Sequence, residues 1–139
     1  MARTISAGAT YFAVVFGFAF VFGTVRTVWV SPYIGPAGGV LLEVPLLLIV
    51  SWLACGRCVR HFDVPEIVGH RLIMGGVAFA CLVAAEVGFS ALLFGQSIAE
   101  FLAAYSTPAG GIGLAAQIAF GLIPSIGLLW PFQPRPLEN

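Results

Sequence analysis

Four apolar runs, each about 20 residues or longer, take up most of this 139-residue chain, and that feature decides what it can fold into. Hydrocarbon offers no partner for backbone N–H and C=O groups, so runs of this length must become helices that satisfy their own hydrogen bonds. The runs cover residues 7–29, 40–59, 72–94 and 112–130. Hydrophobic residues make up 60% of the chain and charged ones 9%, with a mean hydropathy of +1.03, well outside the usual composition of a water-soluble domain. The expected fold is all-α, a single integral-membrane domain of four transmembrane helices spanning residues 1–139.

Turn chemistry sets the expected boundaries. Ser31-Pro32 should end the first helix, because proline disfavours helix in the residue before it and has no N–H for the ladder. Residues 31–39 are uncharged and rich in Pro and Gly, a short link that favours an antiparallel pair. Pro45 is harmless if the second helix starts near Leu42 and kinks it if the start is earlier. The charged segment 57–71 reads as a loop. Residues 96–105 read as a short interfacial helix between spans three and four, and 106–111 as a turn. The tail 131–139 is too proline-rich to fold further.

All six basic residues are arginines. The positive-inside rule puts the 57–71 segment in the cytoplasm, with both termini on the same side, so that Arg3, Arg57, Arg60, Arg71 and Arg135 are inside and Arg26 alone lies towards the outside. The first apolar run is too long for a signal-peptide core and is expected to be retained. A bacterial inner membrane is the expected location and the lipid bilayer the first partner, with Arg57, Arg60 and Arg71 touching anionic lipid. Dispersed arginines and zero net charge exclude a nucleic-acid surface.

The residues that carry chemistry are the polar ones inside the runs. An arginine at the centre of a membrane helix costs about 2.5–3.5 kcal/mol and less near an end, so Arg26 needs partners. At 1.5 Å per residue, Arg26, Glu43, Glu86 and Gln117, one from each run, come to a similar depth in the outer half of the bundle. One reading makes them structural glue, with Arg26 between two carboxylates. The other notes that one arginine cannot neutralise two carboxylates, so a proton or a bound cation must make up the balance, with Glu86 the titrating group. Small residues at helical spacing, Gly113, Gly121 and Ser125 with Gln117 on the fourth run, and Ala13 with Gly17 and Ala19 with Gly23 on the first, offer faces for close packing.

Cys55-Gly56-Arg57-Cys58 is a Cys-x-x-Cys followed by His61, a spacing that suits a thiol redox pair or part of a zinc site as well as two ordinary interfacial cysteines. No helix carries an inward histidine for a b-type haem, no glycine-rich phosphate loop is present, and nothing points to a particular cofactor. The strings GTVRTVWVSPYIGPAGG, LLEVPLLLIVSWLACGRCVRHF and YSTPAGGIGLAAQIAFGLIP resemble a set of small, uncharacterised bacterial inner-membrane proteins, a resemblance that implies the four-helix fold and no activity.

Three functions are therefore expected to compete. The first is binding or translocation of a proton, cation or small polar substrate through Arg26, Glu43, Glu86 and Gln117. The second is an accessory or assembly subunit, in a homo-oligomer or a larger membrane complex, with the charges as glue. The third is a membrane enzyme acting on a lipid or quinone.

Overall fold

The computed structural model describes residues 1–130 and Phe132, and the described residues form helices and connections without a strand. In chain order these are α1 (Ala2–Val25), a π-helical turn (Arg26–Val30), α2 (Ser31–His61), α3 (Val68–Phe94), α4 (Ile98–Ala104) and α5 (Pro108–Leu129). Three helical stretches, Ala2–His61, Val68–Phe94 and Pro108–Leu129, are long and apolar enough to cross a membrane. The outer surface is apolar too: Phe18, Leu42, Ile49, Leu53, Leu92 and Leu129 are all exposed, the reverse of a water-soluble bundle.

Helical structure does not stop at Ser31-Pro32 as the sequence led us to expect. It passes through both residues and changes direction at Gly35, whose φ of 80° and ψ of 167° place it in a region reserved for glycine. Pro32 lacks the N–H that would bond the Val28 carbonyl, and the wide π turn with Ser31 N–H on Arg26 C=O lies immediately before it. Beyond Gly35 the chain runs back along α1: Arg26 meets Glu43, and Tyr11 lies beside Ser51 and Cys55. Pro45 sits inside α2, as the earlier start requires.

The charged connection is shorter than expected, because α2 continues to His61 and α3 begins at Val68. Arg71 is buried at that end, where Nε donates to the Pro65 carbonyl at 3.2 Å and a terminal nitrogen donates to the Val64 carbonyl at 3.4 Å. Thr4 bonds His70 at 2.8 Å and Arg3 faces Asp63 at 3.8 Å, so α1 and α3 start side by side. Gly95, with φ 62°, closes α3 in the left-handed conformation common at helix ends. Ser97 and Glu100 then form a reciprocal capping box that starts α4, and Thr107 caps α5 four residues earlier than the sequence implied, with Pro108 in its first turn. Of the tail, Phe132 packs on Trp52 with ring centroids 4.7 Å apart; Arg135 and the rest of 133–139 lie outside the described residues.

Close helix approach comes from three glycines. A Cβ on Gly75 would strike the Gly121 carbonyl, one on Gly121 would meet Phe79 at 3.3 Å, and one on Gly8 would meet the Met74 carbonyl at 2.6 Å. The α5 stripe thus packs where Gly121 lies, while Gly113 and Gln117 face a cavity and the Ser125 hydroxyl is buried without a partner. On α1 the expectation for Ala13 and Gly17 is corrected: both face outward, because the inward face runs through Thr4, Ala7, Gly8, Tyr11 and Val15 at helical spacing.

Tyr11 is fully buried, stacks on Phe120 at 4.5 Å and donates its hydroxyl to the Phe120 carbonyl at 2.9 Å. That carbonyl is open because Pro124, four residues on, has no N–H to give it. Tyr11→Phe should therefore leave a buried acceptor unpaired and lower stability by about 1–3 kcal/mol in a denaturant titration in detergent. Unchanged stability would mean that water or another donor serves the carbonyl.

Candidate functional site

Arg26, Glu43, Glu86 and Gln117 all line one cavity of about 280 Å³ between α1, α2, α3 and α5. The four residues grouped from the sequence share this cavity but do not lie at one level. Arg26 Nε bonds Glu43 Oε2 at 2.5 Å, with side-chain exposures of 27% and 12%. Glu86 has a different set of partners: Gln117 Nε2 donates to both of its oxygens at 2.8 Å, and the Tyr105 hydroxyl lies 3.4 Å from Glu86 Oε2 and from Gln117 Oε1. Among the described residues no ion pair joins Arg26 to Glu86, so the expected arginine between two carboxylates is corrected to one ion pair and one separate carboxylate.

Helix register explains the separation. Thr4 meets His70 and Gly8 meets the Met74 carbonyl, and the same offset carried along these two parallel helices puts Glu86 beside Phe20, whose ring lies 6.3 Å from that of Phe89, one turn beyond Glu86. Arg26 is six residues beyond Phe20, roughly 9 Å along the helix axis. Depth counting from apolar runs missed this because α3 begins four residues before the run does, and α1 gives way to the π-helical turn at Arg26, before the expected end of the span. The cavity is thus an elongated chamber with a neutral ion pair at one end, a carboxylate deeper in, and walls built from Phe12, Phe16, Phe20 and Phe120.

Tyr105 was not singled out in the sequence, where it looked like part of a surface helix. It follows α4 directly, and the turn into α5 aims its phenol at Glu86 and Gln117. Burial first, and the Glu86 carboxylate second, push the Tyr105 phenol above its ordinary range. A single hydroxyl proton can serve only one of the two acceptors at a time, so this contact can shift between them. An aromatic just before a Ser-Thr-Pro helix start was the one available signal. Glu100 is held below the usual carboxylate range by the backbone and side chain of Ser97, which concerns the start of α4 rather than the cavity.

The Cys-x-x-Cys reads differently in three dimensions. Cys55 is fully buried beside Tyr11 and Cys58 is 6% exposed, so both are core residues where interfacial ones were expected. Cys58 and the exposed His61 share the wall of a shallow cleft with Arg57 and Arg60, a wall to which Cys55 does not contribute. Among the described residues no group of three or more His, Cys, Asp or Glu could hold a metal ion.

Together these features define an all-helical bundle with the make-up of a membrane protein and an internal cavity that carries one carboxylate without a cationic partner. No protein family, characterised protein or solved structure matches the chain.

Proposed function

We propose that this protein is a four-span helical membrane protein, the Ala2–His61 stretch crossing twice by its reversal at Gly35, and that it binds or moves a proton, cation or small polar substrate through the Arg26–Glu43–Glu86–Gln117 cavity. One observation carries the reading: Glu86 faces a cavity while bonded only to neutral groups, Gln117 and Tyr105. Arg26 is already matched by Glu43, so the chamber holds one excess negative charge when Glu86 is ionised. In a low-dielectric surround such a charge is costly and is relieved by a proton or a cation. Intramembrane carboxylates placed this way mark ion and substrate pathways.

The orientation that fits is N-in and C-in, in a bacterial inner membrane, with Arg3, Arg57, Arg60 and Arg71 clustered at the cytoplasmic end and Arg26 near the other. The subunit reading draws support from the apolar outer surface, and the enzyme reading from no particular feature of the cavity.

Glu86→Gln tests the proposal, because glutamine keeps the shape and a hydrogen bond to Gln117 while losing the charge. In purified protein the substitution should abolish a proton release that accompanies binding of a monovalent cation, measured with a pH-indicator dye. Equal proton release by the parent and the variant would rule Glu86 out as the binding group.

A further inference from the structure

Building on the cation site just described, we propose that the chamber takes a small organic cation with an aromatic or branched aliphatic body, its charged group at Glu86 and its body against Phe12, Phe16, Phe20 and Phe120. Three features of the cavity select this class over a bare inorganic ion or an anion.

The first is charge. The Arg26–Glu43 pair is internally neutral and Glu86 is bonded to neutral partners, so the chamber matches one positive charge and repels an anion. The second is the nature of the walls. A hard metal ion asks for about six oxygen ligands. The oxygen-bearing side chains on these walls are Glu43, Glu86, Gln117 and Ser51, of which Glu43 is committed to Arg26 and Ser51 to the Leu47 carbonyl. Most other wall residues are hydrocarbon. Phenyl walls, by contrast, suit the apolar body of an organic cation, which gains from burial and from aromatic contact while its charged group sits at Glu86.

The third is size and access. A cavity of about 280 Å³ lies at the lower edge of the roughly 300–1,000 Å³ seen for drug-sized ligands, so it suits a single-ring amine rather than a larger molecule. Phe20 is a cavity wall and yet 58% exposed on the outside of the bundle, so the chamber opens sideways between helices. A solute with an apolar body, already concentrated in the lipid, can enter by that route, whereas a hydrated ion cannot.

The test uses the full chain in lipid nanodiscs with four probes: benzyltrimethylammonium, its uncharged isostere neopentylbenzene, phenylacetate, and tetramethylammonium, which has the charge without the ring. Calorimetry should show one benzyltrimethylammonium per chain, bound at least tenfold tighter than each of the other three. Glu86→Gln should weaken it tenfold or more. Phe16→Leu should weaken it several-fold while leaving tetramethylammonium unchanged, and Gly76→Ala, at an exposed position with nothing within 4 Å of the added carbon, should leave it alone.

Tighter binding of phenylacetate, or neopentylbenzene binding as well as the cation, overturns the charge assignment; tetramethylammonium binding as tightly as the ring-bearing cation overturns the assignment of the body. If sodium or proton binding depends on Glu86 while benzyltrimethylammonium does not bind, this inference falls and the cation-site reading stands. If no cation of any kind responds to Glu86→Gln, both fall.

Discussion

Replacing Gly75 by leucine should abolish the folded bundle. A Cβ alone at this position would collide with the Gly121 carbonyl on α5, and the obstacle is backbone, which cannot rotate out of the way. The helices would have to part, losing the packing between Gly75, Gly121, Phe79 and Pro124 along the α3–α5 seam. Over-packing a well-filled core costs about 1–3 kcal/mol, and occasionally more, for added carbons that side chains can partly accommodate. Against backbone the penalty should be at or above the top of that range. Gly75→Ala should already destabilise clearly, and Gly75→Leu should yield aggregated or degraded protein. The neighbouring Gly76 supplies the control, since it is exposed with open space around it and Gly76→Ala should change stability little. Size-exclusion profiles in mild detergent and midpoints of SDS or urea titration read the difference. A monodisperse Gly75→Leu protein with parental stability would mean that α3 and α5 do not meet as described.

The second large effect is expected at Arg26. Arg26→Ala strands the Glu43 carboxylate, whose side chain is 12% exposed, without its partner. Removing one member of a fully buried pair costs about 3–5 kcal/mol. Arg26 is 27% exposed and solvent or headgroups can screen part of the loss, so about 2–3 kcal/mol is the expected penalty. Replacing both members, Arg26→Met with Glu43→Leu, should recover most of the loss, because two apolar groups of similar volume need no compensation. The single and double variants, compared in a denaturation cycle, would show this as a coupling term. A double variant no more stable than Arg26→Ala would show that the pair is not what holds α1 against α2 at that end. The same double variant bears on function as well: retained cation binding in it would confine the site to Glu86, Gln117 and Tyr105.

Arg26, Glu43, Glu86 and Gln117 were legible in the sequence because a strongly polar group is expensive in an apolar run, and expensive groups seek one another. Their pairing was not legible. Arg26 with Glu43, and Glu86 with Gln117 and Tyr105, follow from helix register, which depends on where each helix begins and which face it turns inward. The sequence marks those starting points poorly. Thr107-Pro108 and Ser97 to Glu100 are recognisable start signals in hindsight, but Ser31-Pro32 is an equally recognisable stop signal that the chain overrides, reversing at Gly35 instead. Tyr105 escaped notice because nothing local says that a residue between α4 and α5 will reach a carboxylate nineteen positions earlier in the chain.

The amino-acid sequence by itself therefore determined the helical class, the apolar exterior and the ionisable and amide members of the polar set, though not Tyr105, since each is a matter of transfer free energy that one residue or one run settles alone. Only the tertiary structure decided which carboxylate keeps an arginine and which is left with neutral partners, that Gly75 rather than Gly17 is a point of helix contact, and that the polar groups lie along a chamber instead of in a single layer. Those outcomes depend on distances between helices, and such distances are fixed by side-chain packing across the whole bundle rather than by any stretch of the chain.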